Sequence, residues 1–236
     1  MFILHDRRIP ENYINELKKH LPGSGFLGLG PKYTEVYSSI SCHPDIYFFQ
    51  LDAGTIVHAP GIDRSFLEKL RACGVNLVSG EKDPLGEYPS TALYNAARVG
   101  DKIFLNKKYA DKKVLEAAEK EGLAIIDVPQ GYTRCSVLAV SGNAFITSDR
   151  KIAVSGRDNG FEVLEVNSDC VELLGENHGF IGGVGGMNPY GELVILGDTK
   201  FHPDGQKIND FINIHSRGFI FTENLPLLDA GSLFFL

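Results

Sequence analysis

The 236-residue chain has no tryptophan, two methionines and four cysteines. Cys42, Cys73, Cys135 and Cys170 form no CxxC pair and show none of the cysteine and histidine spacings of a zinc site. The sequence therefore predicts free thiols in a reducing, cytoplasmic compartment, and neither a metal nor another cofactor is expected.

The sequence also lacks a basic run and an apolar stretch long enough to span a membrane. Its formal net charge is -7, and such a negative field repels nucleic-acid phosphates. Residues 1–8 read as a strand rather than a signal peptide. We therefore expect one domain over residues 1–236, without nucleic-acid or membrane partners. The oligomeric state is left open.

Glycine is abundant, with 26 residues, and five glycines each precede an apolar run. These runs begin at Gly25, Gly74, Gly122, Gly160 and Gly218. Each glycine suits the left-handed position that ends a helix, and each run suits a buried strand. Amphipathic stretches precede four of the glycines, whereas the helix at 149–158 is weakened by Gly156.

Hairpin patterns precede the helices and complete the repeat. They cover residues 49–57, 97–104, 138–146 and 187–195. A fifth hairpin requires residues 231–236 to pair with residues 1–4, which predicts an α/β ring of five units with no free sheet edge. Asp6, Asn106, Asp149 and Asp198 leave the hairpins and are predicted as helix N-caps.

In such a ring, the first strand of each hairpin lines the axis, so the residues at the strand starts meet in one pocket. These starts are residues 42–45, 93–95, 133–135, 177–180 and 228–231. They include two thiols, two imidazoles and two carboxylates, which are groups able to carry nucleophilic and acid–base chemistry.

Three short motifs resemble those of the guanidine-modifying pentein superfamily, which includes the arginine deiminases and amidinotransferases. Residues 43–45 are similar to a His-x-Asp motif, residues 132–135 to a Pro-Arg-Cys run and residues 229–232 to a Glu-Gly-Gly-Asp element. The resemblance implies a five-bladed α/β propeller of pseudo-fivefold ββαβ repeats, closed by the terminal strands. The permuted blade order, and residues 177–178 in place of an expected aspartate, indicate a branch of unknown function.

The resemblance further implies a cysteine-dependent hydrolase or transferase that acts on a small guanidine or amidine through a covalent thiouronium intermediate. Cys135 would be the nucleophile, with its pKa lowered by Arg134, so it should alkylate fastest with iodoacetamide. His43 would protonate the leaving amine and then activate water. The implied substrate-binding residues are Asp45, Asp229, Arg134, Asn177 and His178.

Two other functions stay open. One is a non-catalytic pentein, comparable to the ribosome-binding anti-association factor that shares the fold. The other is a generic ligand-binding repeat protein with structural cysteines. The site residues also have ordinary interpretations, because a lone cysteine is usually a small buried apolar residue and aspartates commonly cap turns.

Overall fold

The computed structural model describes residues 1–31 and 35–236, which contain seven α-helices and fifteen strands. The helices are α1 (Glu11–His20), α2 (Pro44–Tyr47), α3 (Arg64–Ala72), α4 (Lys112–Lys120), α5 (Thr133–Ser136), α6 (Arg150–Asp158) and α7 (Gly205–His215). The strands are β1 (Phe2–Asp6), β2 (Gly25–Leu29), β3 (Phe48–Gln50), β4 (Thr55–His58), β5 (Asn76–Ser79), β6 (Ala97–Val99), β7 (Lys102–Leu105), β8 (Ala124–Asp127), β9 (Val137–Ala139), β10 (Ala144–Thr147), β11 (Glu162–Glu165), β12 (Gly185–Met187), β13 (Glu192–Ile195), β14 (Gly218–Phe221) and β15 (Phe234–Phe235). Within these ranges, no helix is long and apolar enough to cross a membrane.

The strands form five three-stranded sheets of one design. Their orders are β15–β1–β2, β3–β4–β5, β6–β7–β8, β9–β10–β11 and β12–β13–β14. In each sheet the first strand pairs antiparallel with the middle strand, and the third pairs parallel with it. A helix provides each parallel crossover, as parallel neighbours require. The predicted fivefold repeat is therefore confirmed.

The terminal strands pair as predicted. Ile3 lies opposite Phe235 and Leu4 opposite Phe234 in an antiparallel ladder. The backbones of Phe2 and Leu236 exchange two hydrogen bonds of 2.9 Å. The five sheets nevertheless remain separate, and in the described residues each outer strand pairs on one side only. The expectation that no sheet edge would stay free is therefore wrong, because the blades do not merge into one closed sheet.

The first strands of the sheets contact one another. Strand β6 contacts β9, β9 contacts β12, and β12 contacts β15. Two side chains connect β3 to its neighbours: Gln50 Nε2 donates to the Phe235 carbonyl over 2.6 Å, and Arg98 Nη1 donates to the Leu51 carbonyl over 2.6 Å. The largest buried apolar cluster includes Tyr47, Phe48 and Phe49, which continue from α2 into β3.

The four predicted N-caps have different outcomes. Asp149 caps α6 by accepting two backbone N–H groups. Asp198 caps only a single 3-10 turn. Asp6 and Asn106 each accept the N–H two residues later, so they stabilise a turn that comes before the helix. Asp111 is the residue that caps α4. The simple prediction failed where the chain makes another turn between strand and helix.

The predicted helix-ending glycines are confirmed at Gly74, Gly122 and Gly160, whose φ angles are 86°, 68° and 83°. The prediction is wrong at Gly25 and Gly218, because these two residues begin β2 and β14.

Gly156 does not weaken α6 in the way the sequence suggested. A Cβ atom at this position would lie only 2.5 Å from Phe145 Cζ. The glycine therefore lets α6 pack closely on β10, and the contact offsets the low helix propensity of glycine.

Candidate active site

Two four-residue helices place the central side chains. Helix α2 has Pro44 at its first position, where a missing N–H costs nothing, and all four of its residues are buried. It runs directly into β3 and carries Asp45. Helix α5 runs into β9 in the same way and carries Cys135. Since β3 and β9 are both first strands of their sheets, the two helices bring Asp45 and Cys135 into contact.

Cys135 and Asp45 form a buried thiol–carboxylate pair. The Cys135 thiol donates to Asp45 Oδ2 over 3.1 Å, and Ser232 Oγ donates to the same oxygen over 3.2 Å. Cys135 is 4% exposed and Asp45 is fully buried. Asp45 Oδ1 has no hydrogen-bond partner among the residues described. A buried acceptor of this kind is costly to leave unpaired.

Asn95 holds this pair in place. Its Nδ2 donates to Cys135 Sγ and to the Asp45 carbonyl, each over 3.1 Å. Its Oδ1 accepts the backbone N–H groups of Arg134 and Cys135 over 2.7 and 3.2 Å. The amide therefore fixes the start of α5 and the sulfur at the same time.

The structure shifts the Cys135 pKa upward rather than downward. Burial raises the pKa of the thiol, and the negative charge of Asp45 adds to this effect. Burial also raises the pKa of Asp45. The Arg134 guanidinium donates to the carbonyls of Val137, Gly182 and Gly185 instead of to the sulfur. The prediction that Arg134 lowers the Cys135 pKa is therefore wrong in direction.

His43 is a buried neutral imidazole beside two carboxylates. Its Nε2 lies 3.8 Å from Asp6 Oδ2, and its Nδ1 lies 3.9 Å from Asp229 Oδ1. Burial lowers the His43 pKa to about 3, and the Arg8 charge contributes to the lowering. Nδ1 has no hydrogen-bond partner in residues 1–31 and 35–236. The neutral Nδ1 can therefore accept a hydrogen bond from a ligand.

Asp229 is held by the backbone. Its Oδ2 accepts the Phe180 N–H over 2.8 Å, and its Oδ1 accepts the Gly231 N–H over 3.0 Å. Burial raises the Asp229 pKa to about 7, and repulsion from Asp45 adds to this. A Cβ atom at Gly183 would lie 1.8 Å from Asp229 Oδ1. The Asp229 carboxylate thus occupies the space that a side chain at 183 would need.

Two neighbouring cavities lie at this end of the molecule. The larger, about 660 Å³, is lined by Asp6, His43 and Asp229, with Glu172 at its rim. The smaller, about 280 Å³, is lined by Tyr37, Tyr132, His178 and Phe180, among others. Both include Ser39, Leu173, Glu176 and Asn177. Neither Cys135 nor Asp45 belongs to the described lining of either cavity.

Asn177 and His178 lie outside the buried centre. Both side chains are exposed, and the His178 ring contacts the Gly179 carbonyl at 3.4 Å. The segment that leads into β12 is the 3-10 turn Ile181–Val184, which corresponds in position to α2 and α5. The sequence interpretation placed this strand start four residues too early. A substrate-binding role for Asn177 and His178 stays a prediction.

No site role was predicted for Asn95, Asp6 or Ser232, although each lies beside Cys135, His43 or Asp45. Asn95 had a usable signal, because it precedes a first strand as Asp45 and Cys135 do. Asp6 was predicted only as a helix N-cap, so its place beside His43 was missed. No three histidine, cysteine, aspartate or glutamate side chains in the described parts of the chain are arranged to hold a metal ion.

The family and the fold of this chain follow from its similarity to known proteins. Residues 4–234 match the "Family of unknown function (DUF6873)". The chain belongs to this family. No curated protein matches the chain by sequence.

Two solved structures share the fold over most of this chain. A mutant of DDAH from Pseudomonas aeruginosa complexed with citrulline has a TM-score of 0.52 and 10% identity, covering 94% of this chain and 92% of its own. SxtG, an amidinotransferase from Microseira wollei in a saxitoxin biosynthetic pathway, has a TM-score of 0.52 and 11% identity, covering 93% and 87%. This DUF6873 chain therefore has the pentein fold predicted from its motifs.

Substituting Asp229 should reveal its raised pKa as a pH-dependent difference in stability. Between about pH 4 and 7 the folded protein holds a proton on Asp229 that the unfolded chain releases, so this group's contribution to stability falls as the pH rises. Relative to wild type, Asp229→Asn should gain stability over that window, by about 1.4 kcal/mol for each pKa unit of the shift.

Urea unfolding at four pH values between 4.5 and 7.5 measures this difference. Asp127→Asn, at an exposed aspartate, is the matched control. A constant offset between Asp229→Asn and wild type at all four pH values would contradict a raised pKa.

Proposed function

We propose that this protein is a cysteine-dependent hydrolase or transferase that acts on a small guanidino or amidine compound, within a five-bladed propeller closed by the terminal strands. The observation that carries the proposal is the contact of 3.1 Å between the Cys135 thiol and the Asp45 carboxylate in a buried centre. The fold shared with DDAH and an amidinotransferase supports the same reaction class.

The buried charges favour a cationic, planar ligand. The carboxylates of Asp45 and Asp229 are both buried, and each raises the pKa of Cys135. An amidinium ion would offset their mutual repulsion and could donate paired N–H groups. Asp45 Oδ1 and His43 Nδ1 are the two unpartnered buried acceptors of the described site that such donors would satisfy.

The same cation would activate the thiol. A positive charge beside Cys135 lowers its pKa, so substrate binding itself favours the thiolate. The thiol proton passes to Asp45 Oδ2, which already accepts the thiol hydrogen bond and whose pKa is raised by burial, and the sulfur forms a bond to the guanidino carbon. Asp45 passes this proton through His43 to the leaving nitrogen as the carbon–nitrogen bond breaks, which leaves a thiouronium.

The second half of the reaction reverses these proton transfers. In a hydrolase, water attacks the thiouronium carbon and gives a proton to His43. The carbon–sulfur bond breaks, and His43 returns the proton to the sulfur. In a transferase, an acceptor amine takes the place of water.

A non-catalytic binding module is the second candidate. The burial of Cys135 favours it, because a thiol with a raised pKa is a weak nucleophile until a cation arrives. The two functions predict different effects of a small amidinium ion on the reactivity of Cys135. The enzyme predicts that the cation makes the thiol more reactive, and the binding module predicts no such effect.

Paired alkylating reagents test the proposal. We expect chloroacetamidine, a cation, to modify Cys135 at least about tenfold faster than the neutral chloroacetamide, because its amidinium can form charge-assisted hydrogen bonds to Asp45. Asp45→Asn should remove this preference. Cys73, whose thiol donates a hydrogen bond to the Lys69 carbonyl of its own helix over 3.2 Å, provides the internal reference. Peptide mass spectrometry measures both rates.

The sequence predicted that iodoacetamide would alkylate Cys135 faster than the other cysteines. The raised pKa of Cys135 now leads us to expect slow labelling by such a neutral reagent. A neutral reagent should label Cys135 more slowly than the partly exposed Cys73 and Cys170. If chloroacetamidine and chloroacetamide label Cys135 at equal rates, the binding-module function is favoured instead.

A further inference from the structure

A third cavity, about 770 Å³, lies at the other end of the first strands. Helices α2 and α5 lie at the starts of β3 and β9. This cavity lies at the opposite ends of the first strands, where the hairpin turns begin. Residues from all four internal turns line it: Asp52, Gly100, Gly142 and Tyr190. Its volume is typical of a small-molecule site. It is therefore separate from the cavity beside His43.

The cavity is lined by three arginines and by one aspartate. Arg98 extends from β6, Arg134 from α5 and Arg217 from the segment between α7 and β14. Asp52 is the single carboxylate in the described lining. In a chain with a net charge of -7, this is a local excess of positive charge.

Among the described residues, Arg98 and Arg217 form no ion pair, and Arg134 is attracted by Asp45 and Asp229 without forming an ion pair with either. The described hydrogen bonds of all three guanidinium groups go to backbone carbonyls. Arg98 Nε donates to the Gly100 carbonyl over 2.9 Å and Nη1 to that of Leu51. Arg217 has one long contact of 3.5 Å, to the Tyr190 carbonyl. Each guanidinium has five N–H donors, so donors remain available for a ligand.

Arg134 makes this positive charge partly buried. Its backbone lies beside Cys135, but its guanidinium reaches this cavity, where burial lowers its pKa. A lowered pKa means that the charged form is poorly solvated, and an anion in the cavity would replace the lost water.

The rim suggests that the ligand has an apolar portion. Tyr190 is 64% exposed and Ile214 is 75% exposed, and both line the cavity. Exposed side chains of this size, next to cationic groups, suit an anion attached to an organic body.

We propose that this arginine-lined cavity binds a small organic phosphate or carboxylate. Planar guanidinium groups match both anions, because each offers paired oxygen acceptors. Arg98 and Arg217 contact the anion, and Asp52 limits affinity by repelling it. The site lies apart from the cavity beside His43, although the Arg134 charge also attracts Asp45 in the Cys135 centre.

Calorimetric titration of the full chain with inorganic pyrophosphate, and separately with citrate, tests this site. We expect saturable binding of at least one anion, weakened about tenfold or more by Arg98→Gln and by Arg217→Gln. Asp52→Asn should tighten binding, because it removes the repulsive charge and keeps the oxygen that accepts the Gly54 N–H. Arg157→Gln, at an exposed arginine of α6 paired with Glu165, is the matched control.

The two anions identify the chemistry. Binding of pyrophosphate alone assigns a phosphate ligand, and binding of citrate alone assigns a carboxylate ligand. Absence of binding by both, or equal weakening by Arg157→Gln and Arg98→Gln, would overturn the proposal. Thermal unfolding of each variant separates a lost site from a lost fold, and a folded Asp52→Asn that binds more weakly would also count against it.

Discussion

Replacing Cys135 by serine should abolish the release of ammonia or amine from every small guanidino compound that the wild-type protein consumes. A serine hydroxyl has no usable anion at neutral pH, so the carbon–sulfur bond of the proposed intermediate has no equivalent. Incubation with a panel of guanidines and amidines, followed by ammonia and amine detection, measures the loss. We expect weak turnover of free arginine and better turnover of a smaller or less charged relative.

Two further variants separate binding from chemistry. Asp45→Asn should mainly raise KM, because its carboxylate would hold the bound cation, whereas His43→Ala should mainly lower kcat, because its imidazole moves protons. Cys170→Ser, at a partly exposed thiol, should leave turnover unchanged. Retained turnover in a folded Cys135→Ser variant would remove the sulfur from the mechanism, and a wild-type protein inactive on the whole panel would favour the binding module.

Deletion of residues 232–236 should leave the chain unfolded or close to it. The segment contributes Leu233, Phe234 and Phe235, all at most 2% exposed, and supplies the strand that pairs with β1. Truncating one buried phenylalanine typically costs about 3–5 kcal/mol, whereas whole domains are stable by only about 5–15 kcal/mol. Circular dichroism and thermal unfolding measure the effect.

Point substitutions provide the graded version of this experiment. Phe234→Ala and Phe235→Ala should each lower the free energy of unfolding by about 3 kcal/mol or more. Phe201→Ala, at a side chain that is 48% exposed, should change it far less. A deletion variant that melts like the full chain would show that the terminal pairing is dispensable.

The sequence predicted the fivefold repeat because each blade contains the same local signals. Alternating or continuous apolar runs mark the strands, and glycine punctuation marks the ends of several helices. The free outer edges of the sheets could not be read in this way. They depend on how the blades pack against each other, and no local pattern records that.

The sequence predicted which residues form the centre of the candidate site better than it predicted how their side chains are arranged. Asp45 and Cys135 meet because α2 and α5 precede two first strands, but four-residue helices are too short to leave a periodic signal. The Cys135 pKa is raised by burial and by the Asp45 charge, and the Arg134 guanidinium points to backbone carbonyls rather than to the sulfur. A side-chain direction of that kind is set by tertiary packing, so adjacency in sequence was misleading.

Asp229 and His43 together determine how many protons this site takes up or releases when the chain folds. Between about pH 4 and 6.5 the unfolded chain has a protonated His43 and an ionised Asp229, whereas the folded chain has the reverse. Folding therefore moves one proton, in effect, from the imidazole to the carboxylate, and these two groups exchange none with solvent. The contributions of these two groups to the pH dependence of stability therefore nearly cancel in this range, although each group alone would make the stability change with pH.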